Sequence, residues 1–388
     1  EEATLTLHAD STQLGSTTVP ELDPGATFDW GVDWEPSQGD YTLLAKVSAE
    51  GDGDTSNDQR ELEVSVAPPP QGADLAVAAL ALGQAAHAQN KLLDVLQDEN
   101  ARDADFWIYN DLAAARAEAR RTNKPLFVTF RCVPCADCKG FDAEVAKNNQ
   151  RIKNLVQEAF VAVRQVEMKG VDLSQFQFDY DLNWAAMFIN ADGTVYARYG
   201  TQSAMGADAY NSVESLEKTM RRVLALHNGY PANHAALAGK LGKPKPYKSA
   251  LQMPGMKHRS KLAGSTARNN CVHCHNIHDA EHEQLQDAGR LNHDALWRYP
   301  LPDNLGLQLD PSDGLVVTAV QADSPAYKAG LHPGDVLTRA DGQVLTSIAD
   351  LQWVLHNLPN TSANVTLKAT RGDHAIEKKV AMNADWKK

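Results

Sequence analysis

Hydrophobic and polar residues alternate along the first 66 residues, with apolar side chains two positions apart, as in a half-buried strand. Five segments follow this pattern: TLTLHA, TTVPEL, GATFDWGVDW, YTLLAKVSA and RELEVSVA. The turn sequences DPG, PSQGD and EGDGD separate several of these segments. The pattern therefore predicts an all-β module over residues 1–66.

The period changes after the Pro-rich stretch APPPQG, which is typical of a stiff linker. Apolar residues then recur at helical spacing over 73–98, and a second helix is predicted over about 110–122. The apolar runs PLFVTF, FVAVRQV and AAMFIN predict strands, DGTVYARYG predicts a hairpin, and helices are predicted over 142–157 and 211–227. Strands that alternate with helices indicate an α/β domain.

The pattern of the N-terminal module carries a resemblance to a known family. The spacing "L.PG……W.P..GDY.L.A.V" followed by ELEVSV resembles the C-terminal half of a CARDB-type, immunoglobulin-like β-sandwich. Such a sandwich needs about seven strands, and only five segments are present. The resemblance thus implies a partial sandwich, either a piece of a longer chain or one that a neighbour completes, and hence a candidate route to homo-oligomers.

The net charge of −13 is concentrated in the N-terminal module. Residues 1–70 contain 15 Asp and Glu against only Lys46 and Arg60, whereas the rest of the chain is balanced. A nucleic-acid partner is therefore excluded, because phosphate binding needs clustered Lys and Arg. Asp52 and Asp54, in the loop DGDTSND, offer a weak Ca²⁺ site; the loop lacks the glycine and glutamate of an EF-hand, and an acidic solvated hairpin is the alternative.

No apolar run is long enough to predict a membrane span. The first residues, EEATLTLHAD, do not have the pattern of a signal peptide, so a mature or trimmed product is expected. The five cysteines form two tight groups, which favours redox or metal chemistry over long-range disulfides.

The first cysteine group lies in KPLFVTFRCVPCADCKGFDAEV, which resembles the active-site region of thioredoxin-like thiol-disulfide proteins. The family spacing from the strand-opening Pro125 implies that Cys135 and Cys138 form the redox pair, Cys135 as nucleophile and Cys138 as resolving thiol. A cysteine at a helix N-terminus favours the thiolate. Cys132 is an extra thiol.

The chain departs from the thioredoxin pattern at one important position. Trp184 occupies the place of the family's cis-proline, and 135–230 contains no proline. This departure puts substrate docking in doubt, so a structural disulfide or a thiol/metal site that includes Cys132 remains an alternative.

The second group, Cys271-Val-His-Cys274-His275, satisfies C-x-x-C-H. This motif predicts one covalent haem c, with thioethers at both cysteines and His275 as the proximal iron ligand. Zinc or a plain disulfide at the same residues is the alternative. Distal candidates on flanking loops are His258, His293, Met256 and Met253.

The C-terminal sequence SPAYKAGLHPGDVL, preceded by NLGL, resembles a PDZ domain of exported bacterial proteins. The resemblance implies that backbone N–H groups at Leu305, Gly306 and Leu307 receive a peptide C-terminus or strand, beside a helix over 347–357. A packing module with an unused groove is the alternative.

The predicted chain is multidomain, and its order of modules resembles multidomain exported proteins of planctomycete-type bacteria. The predicted parts are a partial Ig/CARDB-like β-sandwich (1–66), a linker with an Ala-rich helix (67–108), an α/β thioredoxin-like domain (109–235), a small c-type haem-binding segment (236–298) and an α+β PDZ domain (299–388).

Three functions remain open at this stage. The first is an exported, periplasmic or extracellular monohaem electron carrier that works with a redox partner protein. The second is a haem-linked thiol-disulfide oxidoreductase. The third is a structural or assembly protein with zinc or a disulfide at the C-x-x-C-H motif.

Overall fold

The computed structural model describes residues 3–9, 12–19, 39–49, 59–66, 92–102, 104, 106–134, 139–206 and 208–388. The chain divides into two compact units, Glu1–His87 and Ala88–Lys388. No helix among the described residues is both long enough and apolar enough to span a bilayer.

The N-terminal unit contains one antiparallel sheet of four strands in the order β2-β1-β3-β4. Its strands are β1 (Ala3–Ala9), β2 (Thr12–Val19), β3 (Gly39–Ala49) and β4 (Gln59–Val66). Alternation places Leu7 and Ala9 on the same face, and both are buried. The predicted strand GATFDWGVDW and the Ca²⁺ candidates Asp52 and Asp54 lie outside the described residues, so the sandwich and the calcium site stay predictions.

The second unit begins with helical residues 92–96, the described part of the predicted helix over 73–98. A five-stranded sheet follows, in the order β5-β7-β6-β8-β9, with parallel pairing up to β6 and antiparallel pairing beyond it. Its strands are β5 (Trp107–Tyr109), β6 (Leu126–Arg131), β7 (Val161–Gln165), β8 (Trp184–Ile189) and β9 (Val195–Tyr199). The helices are α1 (Leu112–Thr122), α2 (Lys139–Ala143), a π-helical turn (Glu144–Asn148), α3 (Gln150–Ala159) and α4 (Val213–Asn228).

Both faces of this sheet are covered, which explains why its strands are continuous apolar runs. Val128 and Phe130 of β6 belong to one core, whereas Phe127 belongs to the core on the opposite face. Helices α3 and α4 contribute to the second core through Ile152 and Met220.

The predicted haem-binding segment completes the first core. The short helices after α4 are α5 (His234–Leu237), α6 (Arg259–Leu262) and α8 (His293–Leu296), and the long helix of the segment is α7 (Cys274–Asp287). Met253, Val272 and Ile277 are fully buried in the same cluster as Val128 and Phe130. The segment is therefore part of the thioredoxin-like core and packs over one face of its sheet.

The C-terminal part contains a β10–β11 pair and a sheet in the order β13-β12-β14-β15 around its own core. Its elements are β10 (Leu307–Leu309), β11 (Val317–Val320), α9 (Pro325–Lys328), β12 (Val336–Ala340), β13 (Gln343–Val344), α10 (Ile348–Asn357), β14 (Ala363–Arg371) and β15 (His374–Met382). Ser347 begins α10 as its N-cap, accepting a hydrogen bond from the Asp350 backbone N–H.

Helix α10 packs against strand β9, which joins the two domains of the second unit. Lys240 Nζ lies 2.6 Å from Asp350 Oδ2, and both side chains are almost fully buried. The Arg198 guanidinium lies 3.7 Å from the centre of the Trp353 ring. Burial lowers the pKa of Lys240, against the neighbouring Asp350 carboxylate that raises it.

Candidate functional site

The first cysteine group lies at the carboxyl end of β6. This strand ends at Arg131, Cys132 follows directly, and α2 begins at Lys139. The predicted redox pair, Cys135 and Cys138, lies outside the described residues, so the roles implied by the thioredoxin resemblance stay predictions.

A buried ionic network lies next to this loop. Asp142 accepts hydrogen bonds from Arg131 Nη1 and, at 2.9 Å to Oδ1 and 2.7 Å to Oδ2, from Arg164. Arg164 also binds Asp98 through its Nε at 2.7 Å. Burial alone would raise the pKa of the Asp142 carboxyl, but the two guanidinium groups lower it to about 2.

Arg131 connects the network to the cysteine loop. Its Nη2 donates to the carbonyl oxygens of Cys132 at 3.3 Å and Val133 at 3.0 Å. The guanidinium group therefore fixes the path of the backbone as it leaves β6. Arg131 and Arg164 were not predicted as functional residues from the sequence. The signal that could have identified them is an arginine inside each of the apolar runs VTFR and VAVRQ, both predicted to be buried.

Trp184 opens β8 beside this network. It is fully buried, its Nε1 donates to Asp142 Oδ1 at 3.1 Å, and its ring meets the Phe141 ring edge-on at 5.0 Å. The cis peptide bond that the described residues contain is Tyr230–Pro231, elsewhere in the fold. An indole thus occupies the position at which thioredoxin-like proteins usually have a proline.

The C-x-x-C-H segment is held at the same edge of the sheet. Met168 N–H donates to the Val272 carbonyl at 2.8 Å, and Val272 N–H donates to Glu167 Oε1 at 2.9 Å. Lys169 Nζ adds a bond to the Asn270 carbonyl at 3.1 Å. Glu167, Met168 and Lys169 lie just beyond the end of β7, the parallel neighbour of β6, so the C-x-x-C-H segment and Cys132 lie at the carboxyl ends of adjacent strands.

The two groups affect each other electrostatically. Cys132 and Cys271 are both half-buried thiols, and Cys274 is a buried one. Burial and, second to it, the neighbouring Cys132 thiol raise the pKa of the Cys271 thiol to about 11. Cys132 and Cys271, which are distant in sequence, therefore lie near each other.

His275 faces away from this core. Its Nε2 lies 2.9 Å from the Asp181 carbonyl oxygen, and the side chain is 32% exposed. The Asp181 carbonyl thus engages Nε2 of His275, and Cys274 is buried, so the covalent haem at this motif stays a prediction.

The predicted distal ligands lie in different places. Met253 and Met256 are buried in the same core as Cys274 and Ile277, on the other side of α7 from His275. His258 lines a separate surface cavity of about 560 Å³ together with Met256 and His282. His293 begins α8, and its side chain is not described.

A metal ion without a porphyrin gains no support. Within the part of the chain that the structure describes, no three His, Cys, Asp or Glu side chains converge on one point. The zinc alternative stays a prediction.

The predicted peptide-binding loop lies between a 3₁₀ turn (Pro302–Leu305) and β10. Leu305 and Leu307 are fully buried, and Gly306 has φ +80°, with Ser324 Cβ only 2.2 Å from where its own Cβ would stand. Asn304 Nδ2 donates to the carbonyl oxygens of Trp386 and Lys388, both at 3.1 Å.

Comparison with known proteins identifies two of the modules. The family model described as thioredoxin-like matches residues 107–191, and the one described as PDZ domain matches residues 316–368. The chain therefore contains a thioredoxin-like domain and a PDZ domain, as the sequence patterns predicted.

Curated relatives of the PDZ domain are bacterial proteases. The chain is 41% identical over 63 residues to the periplasmic serine endoprotease DegP of Salmonella typhimurium, which is 16% of this chain and 13% of DegP. It is 39% identical over 69 residues to a probable periplasmic serine endoprotease DegP-like protein of Chlamydia trachomatis, 18% of this chain and 13% of that protein. The magnetosome formation protease MamE of Magnetospirillum gryphiswaldense is 36% identical over 63 residues, 16% of this chain and 8% of MamE. The chain thus spans about an eighth or less of the length of these relatives.

Proposed function

We propose that this protein is an exported thiol-disulfide oxidoreductase whose thioredoxin-like cysteine loop works beside the C-x-x-C-H segment. The observation that carries the proposal is that Cys132, directly after β6, and the C-x-x-C-H segment, bound by Glu167 beyond β7, lie at the same edge of the thioredoxin-like sheet. The periplasmic location of the DegP proteins supports export of the chain.

The reaction follows from the roles that the thioredoxin resemblance implies. The Cys135 thiolate attacks a disulfide of the substrate, forming a mixed disulfide and releasing one substrate thiol. Cys138 then attacks Cys135, which releases the second substrate thiol and leaves a Cys135–Cys138 disulfide. A dithiol partner protein must reduce this disulfide before the next turnover. Arg131 holds the loop backbone at Cys132 and Val133 during these steps.

Insulin reduction by the reduced protein tests the proposal. Cys135→Ser should lower the rate at least about 100-fold, because the thiolate is the nucleophile. Cys274→Ser, which alters a buried thiol of the other motif, is the matched control and should retain most of the activity. Equal rates for the wild type and Cys135→Ser would refute the proposed reaction.

The C-x-x-C-H motif itself favours a second candidate, a monohaem electron carrier. Cys271 and Cys274 would hold the haem through thioethers, His275 would bind the iron, and the bound group would supply one-electron transfer. An intact mass under denaturing conditions, together with a pyridine haemochrome spectrum of the exported protein, tests it. One covalent haem would make electron transfer the working function.

We also propose that the PDZ domain binds a peptide partner or assembles copies of the chain. The match of residues 316–368 to the PDZ family model supports this role, because PDZ domains bind peptide strands. Light scattering over a range of concentrations tests self-association, and a strict monomer throughout would leave peptide binding as the role of the domain.

A further inference from the structure

The cysteine outside the predicted redox pair lies where the second motif is anchored. Phe130 of β6 pairs with Gln165 of β7, and two residues beyond this pair the chains carry Cys132 and Glu167. Adjacent strands are about 4.8 Å apart, so these two residues share one edge of the sheet. Glu167 Oε1 accepts the N–H of Val272, the residue after Cys271.

Hydrogen bonds fix the backbone beside both Cys132 and Cys271. Arg131 holds the carbonyls of Cys132 and Val133, while Lys169 holds the carbonyl of Asn270. The Cys132 and Cys271 thiols are both half-buried. Cys274, by contrast, belongs to the hydrophobic core and is 7% exposed. A disulfide needs two Cα atoms about 4.4–6.8 Å apart, a separation that neighbouring, anchored backbones can reach.

We propose that Cys132 and Cys271 form a regulatory disulfide that fastens the C-x-x-C-H segment to the thioredoxin-like loop. The oxidant is a small-molecule disulfide. The two protein thiols give up two electrons and two protons to it, one sulfur–sulfur bond forms in the protein, the bond of the oxidant breaks, and two small thiols leave. The raised pKa of Cys271 fits a slow, regulated bond, since little thiolate is present at neutral pH.

The bond would set the state of the whole site. It would hold Cys132 beside the second motif and leave Cys135 and Cys138 as the exchanging pair. It would also consume the sulfur that a haem thioether needs, so Cys271 serves one role or the other. The regulatory role of this disulfide rests on the proposed function, but the test detects the bond itself and not turnover.

The test uses two matched variants with two cysteines each. Cys135→Ser/Cys138→Ser/Cys274→Ser retains Cys132 and Cys271, and Cys135→Ser/Cys138→Ser/Cys271→Ser retains Cys132 and Cys274. Each is oxidised with oxidised glutathione, digested with trypsin without reduction and analysed by mass spectrometry. The first variant should link peptides 132–139 and 269–290 at least about tenfold more than the second, because exchange depends on access to the sulfur.

Circular dichroism shows whether each variant folds, and the wild-type chain, oxidised in the same way, is a test that needs no substitution. A linked peptide pair in the wild type and in the first variant supports the proposal. Equal linkage in both variants, no linkage in folded protein, or a haem thioether at Cys271 would overturn it. A wild-type chain that forms the link but does not reduce insulin would refute the proposed function alone.

Discussion

Asp142 is the residue on which the redox loop depends most. Its carboxylate accepts hydrogen bonds from Arg131, Arg164 and the Trp184 indole, and it has no exposed surface. Through Arg131 it also holds the backbone at Cys132. The Asp142 carboxylate and its three partners therefore hold the loop in place, next to Trp184, the residue that the sequence aligns with the cis-proline of thioredoxin-like proteins.

Asp142→Asn should therefore destabilise the second unit by about 3–5 kcal/mol, because the buried Arg131 guanidinium loses its counter-charge and Arg164 keeps only Asp98. Chemical denaturation followed by near-UV circular dichroism measures this loss. Glu214→Gln is the control: it removes an exposed pair with Arg151 and should cost no more than about 1 kcal/mol. Similar losses for the two variants would show that the network contributes little.

His356 predicts a pH dependence. Burial first, and then the nearby Arg298 and Lys387, lower its pKa to about 3, although Glu281 opposes this shift. Because the folded pKa lies below the unfolded value of about 6.5, its contribution to stability is complete above that pH and is lost as the pH falls towards 3.

His356→Phe should flatten the fall in unfolding free energy between about pH 6.5 and 4, since phenylalanine can keep the ring stacking on Tyr299 but cannot be protonated. Denaturation curves at several pH values measure the slope. The exposed His374→Phe is the control and should leave the slope as in the wild type. An unchanged slope in His356→Phe would assign the pH dependence to other groups.

At the scale of elements, the segment before α7 depends on a close backbone contact. A Cβ at Gly255 would lie 2.1 Å from the Ala280 carbonyl oxygen and 2.8 Å from the Gln284 nitrogen. Both atoms belong to the backbone of α7 and cannot rotate away.

Gly255→Ala should thus cost about 1–3 kcal/mol and loosen the C-x-x-C-H helix. Hydrogen exchange of the α7 amides together with the melting temperature measures both effects. Gly170→Ala, where nothing lies within 4 Å of the added Cβ, is the control. Unchanged hydrogen exchange of the α7 amides in Gly255→Ala would show that the backbone contact adjusts without a loss of stability.

The elements also show how far the sequence could predict the fold. Apolar periodicity predicted α1, α4 and the strands β6 to β9 of the thioredoxin-like sheet closely, but it missed the three-residue strand β5. The helix predicted over 142–157 is instead interrupted by a π-helical turn, and a new helix begins where Asn149 Oδ1 accepts the N–H groups of Arg151 and Ile152. Periodicity could not show this break because the apolar positions continue across it.

The candidate site was predictable only in its residue types. The motifs identified Cys132 and Cys271, but their convergence depends on the contact between Glu167 and Val272, which no local pattern encodes. In the same way, Arg131 and Arg164 gain their partners only when α2 packs beneath the sheet.

At the scale of the whole second unit, Asp350 joins the two domains. It pairs with Lys240 and accepts the N–H of Arg198 at 3.1 Å. Asp350→Asn should therefore cost about 3–5 kcal/mol, because it leaves a buried ammonium without its counter-charge.

Adding Lys240→Met to Asp350→Asn should recover at least half of this loss, since the unpaired charge is removed. Calorimetry measures the effect: we expect the second unit to unfold in one transition in the wild type and in two transitions in Asp350→Asn. Losses that simply add in the double variant would show that the ion pair does not couple the domains.

The packing of α10 has a consequence for how such a chain can evolve. In a PDZ domain that acts alone, the outer face of this helix is solvated and free to change. Here the same face carries Asp350 and Trp353 against the neighbouring domain. Recombination that replaced this PDZ domain by one without these two residues would therefore leave the buried Lys240 ammonium without its counter-charge and uncover the Arg198 guanidinium, which favours inheritance of the two modules as a single unit.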